Sequence, residues 1–159
     1  MSDHPHFELS DALITLAELQ SLLSETKVQV RLAESAVAAI ASCRAYLDQK
    51  MARTSAPIYG INTGFGDLRD KHVGADHLEE LQYNLMRSHA CGAGTEVPAD
   101  IVRLMLLLKA RSLAYGHSGV QVATVQRLLD FYNEGILPVV YTQGSLGASG
   151  DLAPLAHLC

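Results

Sequence analysis

The chain has 159 residues, 48% of them apolar, enough for one ordinary domain with a real core. Its 17 acidic and 12 basic residues give a formal charge of −5, and no Lys/Arg cluster or basic-aromatic stripe offers itself to a phosphate backbone, so nucleic acid is not an expected partner. Apolar runs such as Leu104 to Leu108 are too short to span a bilayer, the N-terminus lacks the regions of a signal peptide, and Cys43, Cys91 and Cys159 form no CxxC pair; a cytoplasmic chain with reduced thiols and no membrane partner is expected.

In chain order, Ser10 and Asp11 predict the cap of a short helix carrying Leu13, Leu16, Leu19 and Leu23, and the Val28, Val30 alternation predicts a brief extended piece. From about Ala33 to Met51 an alanine-rich stretch with Val37, Ile40, Ala41, Tyr46 and Leu47 at helical spacing predicts an amphipathic helix that ends near Thr54 to Pro57. Ile58 to Gly66 carries Gly60, Gly64 and Gly66 without a helical period and reads as a structured loop, the kind of segment that often holds function. Asp76 is placed as the cap of a helix with Leu78, Leu81, Leu85 and Met86 on one side, which stops at Gly92 and Gly94. Pro98 starts another helix, apolar nearly all round from Ile101 to Leu113, and a further one runs from about Val120 to Asn133 and ends at Gly135. Leu137 to Val140 then lead in extended form to a glycine-rich segment and a last helical start at Asp151. With no internal repeat and no linker, the chain reads as one mainly α unit.

Generic motifs give little. Gly64, Gly66 and Arg69 supply only part of a GxGxxG pattern, and Gly147, Ser149 and Asp151 put Asp where a GxSxG elbow needs its second Gly. The seven histidines show no HExxH and no paired ligand spacing, so neither a metal nor a nucleotide is expected. On composition alone, Ser149 is a cap in a permissive turn, Tyr59 a half-buried core aromatic, and His89 a helix histidine with a structural hydrogen bond.

Three segments taken together resemble the aromatic amino acid ammonia-lyases, and within them the histidine-selective branch. They are Tyr59-Gly60-Ile61-Asn62-Thr63-Gly64-Phe65-Gly66, Asn84-Leu85-Met86-Arg87-Ser88-His89-Ala90-Cys91-Gly92, and the run from Gly144 to His157. The resemblance runs from about Leu9 to the last residue and implies the N-terminal part of a longer enzyme, residues 1–159, ending just after the third segment. It implies the family's mainly α fold with short extended segments and glycine-rich active-site loops. It also implies a homotetramer whose active sites draw on later segments, so the chain by itself is expected to be inactive.

In that family an Ala-Ser-Gly tripeptide cyclises into 4-methylidene-imidazol-5-one (MIO), and the resemblance puts it at Ala148, Ser149 and Gly150. Small residues suit the backbone contraction that this ring requires. The resemblance makes Tyr59 the base that removes a β-proton, and puts Ser88 and His89 where the family distinguishes its substrates. Asn62 and Gly66 are assigned to substrate binding, as residues that shape the loop close to the substrate and take no part in the chemistry. The implied reaction is non-oxidative elimination of ammonia from L-histidine to give urocanate. A tyrosine or phenylalanine ammonia-lyase, an aminomutase of the same family, and a non-catalytic module stand as alternatives.

Overall fold

The computed structural model describes residues 5–25, 27–144 and 152–158. These carry six α-helices and four short strands, and they fall into two compact units, residues 1–50 with 98–137 and residues 51–97 with 138–159. The sequence offers no linker at the division because the chain passes between units inside a helix and at Pro98 and Pro138. Among the described residues no helix is long and apolar enough to cross a membrane, and no cluster of His, Cys, Asp and Glu could hold a metal ion.

The first unit begins with strand β1 (His6–Leu9), helix α1 (Leu16–Ser24) and strand β2 (Gln29–Leu32), with β1 and β2 paired in parallel from His6 opposite Gln29 to Leu9 opposite Leu32. Helix α1 starts five residues later than Ser10 and Asp11 suggest. Thr15 and Glu18 form a reciprocal capping box, the Thr15 N–H donating to the carboxylate at 2.7 Å and the Glu18 N–H donating to Thr15 Oγ1 at 3.2 Å. A box that satisfies two orphan donors outcompetes a lone cap, and Leu13 is left 88% exposed outside the helix. The Thr15 N–H bond foremost, and after it the Thr15 hydroxyl donating to the same carboxylate at 2.8 Å, hold the Glu18 carboxyl below its ordinary pKa.

Helix α2 (Glu34–Arg53) forms where the periodicity places it, but with its buried face rotated. Ala36 and Ile40 are buried while Val37 and Tyr46 are exposed. The small alanines admit a close neighbour on that side: Gly116, at φ +70°, sits so near that a Cβ there would lie 2.6 Å from the Ala39 carbonyl carbon. Helices α4 (Ala99–Ala114) and α5 (Val122–Glu134) pack on each other, and Leu106, Leu107, Ala110, Val125, Leu129 and Tyr132 are buried with Leu9 and Val30 of the strands. Asn133 extends the small sheet's hydrogen bonding by pairing with both backbone groups of Val30, accepting its N–H at 2.8 Å and donating to its carbonyl at 2.9 Å.

Tyr132 is 1% exposed and donates its hydroxyl to the Leu22 carbonyl at 2.8 Å, beneath the Arg103 guanidinium 4.6 Å from the ring centre. Burial raises its pKa above the ordinary value, with Arg103 opposing. Because the fold favours the protonated phenol, this contribution to stability is fully present below the unfolded value of about pH 10 and is lost as pH rises through the folded one. Tyr132→Phe, which strands the Leu22 carbonyl, is expected to cost about 1–3 kcal/mol in urea unfolding near neutral pH and to remove this alkaline loss. An unchanged unfolding midpoint would contradict it.

The second unit holds the end of α2, helix α3 (Leu78–His89), the antiparallel strands β3 (Ala93–Glu96) and β4 (Tyr141–Gln143), and helix α6 (Leu152–His157). Asp76 is not the cap of α3. It lies in a 3-10 turn, Ala75–His77, that runs into the helix, with His77 at the cap position and no side-chain cap bond; the Asp76 carboxylate stands 3.4 Å from the His77 ring instead. Strand β3 escapes sequence reading because its four residues, Ala-Gly-Thr-Glu, are all exposed and show no apolar alternation. The helical start expected at Asp151 falls outside the described residues, which enter α6 at Leu152.

Candidate functional site

Every sequence-derived site residue that the structure describes belongs to the second unit. The loop after α2 is shaped from within by two buried polar side chains, Asn62 at 1% and Thr63 at 0% exposure. Asn62 accepts the Ile58 N–H at 2.7 Å and donates to the Ala56 carbonyl at 3.2 Å, while its own carbonyl accepts the Val73 N–H at 2.8 Å. Thr63 Oγ1 accepts the Gly60 N–H and donates to the Gly64 carbonyl. Buried polar groups must be paired, and here the pairing folds the loop on itself. Gln82 of α3 ties it down from outside, donating to the Ile61 carbonyl at 3.2 Å. Asn62 thus spends its side chain on the loop backbone, and Gly66, at φ +58°, turns the chain into the 3-10 helix Gly66–Leu68.

That folding turns Tyr59 outward, 62% exposed. Its ring centre lies 5.7 Å from that of Phe65, which meets His89 edge-on at 5.6 Å and 83°. Tyr59 and His89, 30 positions apart, are therefore joined by one intervening ring. Phe65 has no place among the sequence-derived candidates; the signal that could have found it is a lone aromatic between two glycines, where its bulk is the only side chain on offer.

His89 ends α3 with Nδ1 2.8 Å from the Leu85 carbonyl. A carbonyl only accepts, so Nδ1 carries the proton, and in the neutral ring Nε2 is left with its lone pair. Ser88 Oγ donates to the same carbonyl at 3.0 Å and stands 3.1 Å from Nδ1. Ser88 therefore steadies the imidazole and the helix end together.

Ala148, Ser149 and Gly150 lie outside the described residues, but both flanks of their segment are described. On one side Gly144 follows β4, and Cys91 Sγ donates to its carbonyl at 3.5 Å. On the other, α6 packs on α3, and His157 Nε2 accepts the Gly92 N–H at 2.8 Å. Both flanks thus return to the residues just after His89, where α3 ends.

The chain has counterparts among known proteins. A histidine ammonia-lyase of Geobacillus thermodenitrificans is 47% identical over 145 residues, covering 91% of this chain and 28% of that protein. The crystal structure of histidine ammonia-lyase from Trypanosoma cruzi matches with a TM-score of 0.81 at 36% identity, over 96% of this chain and 28% of that one. Ergothionase from Treponema denticola, an ergothioneine-degrading enzyme, matches with a TM-score of 0.89 at 29% identity, over 96% and 30% respectively. The chain therefore spans less than a third of the length of these relatives. With the profile of the aromatic amino acid lyases matching residues 14–159 as well, the chain belongs to that family.

Proposed function

We propose that this chain is the N-terminal part of a histidine ammonia-lyase, which eliminates ammonia from L-histidine to leave urocanate. The observation that carries the reading is His89, an imidazole held by Nδ1 on the Leu85 carbonyl, one aromatic ring away from an exposed tyrosine. A neutral imidazole held this way can accept an N–H from a second imidazole, which an apolar side chain cannot do. Tyr59 is the group that takes the β-proton, and its hydroxyl stands on a loop whose buried Asn62 and Thr63 fix the backbone beneath it. Ser88 limits the swing of the His89 ring. Asn62 and Gly66 act through the shape of the loop beside the substrate.

Ala148, Ser149 and Gly150 fit the family's built-in MIO group: they supply a carbonyl, a hydroxyl and an amide nitrogen in the required order, and both flanks of their segment are held at the helix end that carries His89. Once formed, that ring supplies an electrophile for the substrate amino group and makes ammonia a leaving group. The same reading brings a cytoplasmic homotetramer as its expected setting, with the rest of the pocket drawn from outside this chain.

The test is intact mass together with product assay of the full-length protein that carries this chain. The expected mass is two waters below the sequence value, with urocanate and ammonia formed from L-histidine in preference to cinnamate-type products from phenylalanine or tyrosine. Ser149→Ala, which has no hydroxyl to eliminate and so cannot form the exocyclic methylene, is expected to show no mass deficit and to lose the activity. A wild-type protein of unmodified mass, or one that prefers phenylalanine or tyrosine, overturns the reading.

A further inference from the structure

The residues after α3 are gripped from two sides, and each grip comes from one flank of the Ala148-Ser149-Gly150 segment. On the β4 side, Gly144 at φ +130° lies so close that a Cβ on it would meet the Gly92 Cα at 2.8 Å and the Cys91 carbonyl oxygen at 2.9 Å. On the α6 side, His157 Nε2 accepts the Gly92 N–H at 2.8 Å, and a Cβ on Gly92 would lie 2.6 Å from that nitrogen. The imidazole also closes the circle between the two flanks, since it packs edge-on against Tyr141 of β4 with centres 5.6 Å apart at 75°. Both glycines are needed for space: any side chain at either would push the two flanks apart.

We propose that His157 is a positioning residue for ring formation in the Ala148-Ser149-Gly150 segment, acting through Gly92 to hold the segment's two flanks together. The proposal rests on the ring-forming reading given above. Ring closure forms a bond from the Gly150 amide nitrogen to the Ala148 carbonyl carbon. The carbonyl oxygen takes the Gly150 amide proton and leaves as water with the Ser149 amide proton; the Ser149 hydroxyl leaves as a second water with its Cα proton, so no oxidant is needed. The reaction demands a contracted backbone, and contraction is opposed by the chain entropy of a loop with free ends. Pinning both ends to one residue pair removes most of that freedom before the bond forms. His157 suits the task chemically because a neutral imidazole with its proton on Nδ1 presents Nε2 as an acceptor to a backbone N–H.

The experiment follows the fraction of full-length chains that have lost two waters as a function of time after synthesis, by intact mass, with thermal unfolding as a folding control. His157→Phe keeps a ring against Tyr141 but has no acceptor; it is expected to slow maturation by about tenfold, the worth of one hydrogen bond. His157→Gln returns an acceptor and is expected to restore most of the wild-type rate. Gly92→Ala, which displaces the imidazole from the other side, is expected to slow maturation as His157→Phe does. A folded His157→Phe or Gly92→Ala protein that matures at the wild-type rate overturns the proposal, as does a His157→Gln protein that is folded and as slow as His157→Phe. If the wild type itself keeps both waters, the ring-forming reading has failed, a result distinct from a mature wild type with equally mature variants.

Discussion

Tyr59→Phe in the full-length protein is expected to lower kcat for urocanate formation by about 10²–10⁴-fold, the usual worth of a positioned proton acceptor. The substitution removes one oxygen and keeps the ring that rests 5.7 Å from Phe65. Because Tyr59 is 62% exposed and the loop beneath it is held by Asn62, Thr63 and Gln82 instead, stability should change by no more than about 0.5 kcal/mol. The mass deficit of two waters expected from the proposed ring should also persist, since the tripeptide proposed to form it lies elsewhere in the chain. Loss of rate with fold and ring intact separates a proton acceptor from a surface aromatic. A kcat within a few-fold of wild type would remove Tyr59 from the chemistry and leave it as a wall of the site beside Phe65.

The second large effect concerns the choice of substrate. His89→Phe is expected to shift relative kcat/KM from L-histidine towards L-phenylalanine by about 10–100-fold, the range that one hydrogen bond to a desolvated polar group can carry. Phenylalanine at this position preserves the edge-on contact with Phe65 but loses both the anchor on Leu85 and the acceptor at Nε2. Histidine as substrate then leaves its own imidazole unpaired, whereas phenylalanine gains an apolar neighbour. Competition assays with both amino acids on the full-length variant give the ratio directly. Unchanged relative kcat/KM for the two substrates would sink the assignment of His89, whatever happened to the absolute rates.

How much of this was legible in the residues differs from element to element. Helices α2, α4 and α5 are long and periodic, and their signals survive any context; Pro98 and Gly135 even mark a start and a stop where the structure has them. Helix α1 was located but misdated, because the Thr15 and Glu18 box lies behind an apolar Leu13 that reads as part of the helix. The rotated face of α2 was out of reach: which side of an alanine-rich helix is buried depends on what approaches it, and the approach of Gly116 to Ala39 joins residues far apart in sequence. Strands β3 and β4 are pieces of four and three residues, exposed except for the half-buried Tyr141, and held by pairing with each other and not by any pattern of their own.

For the site, the division is sharper. The sequence by itself determined which residue types are available for chemistry and in what order: a tyrosine on a glycine-rich loop, a Ser-His pair, and an Ala-Ser-Gly tripeptide whose resemblance to a known family supplied their roles. Those are properties of covalent composition, and they need no coordinates. Only the tertiary structure decided that Phe65 joins Tyr59 to His89, that Asn62 is consumed by the loop backbone, and that His157 and Gly144 meet at Gly92. Each of these is a short-range contact between segments brought together by folding, and hydrogen bonds and van der Waals contacts act over a few ångströms of space whatever the distance along the chain.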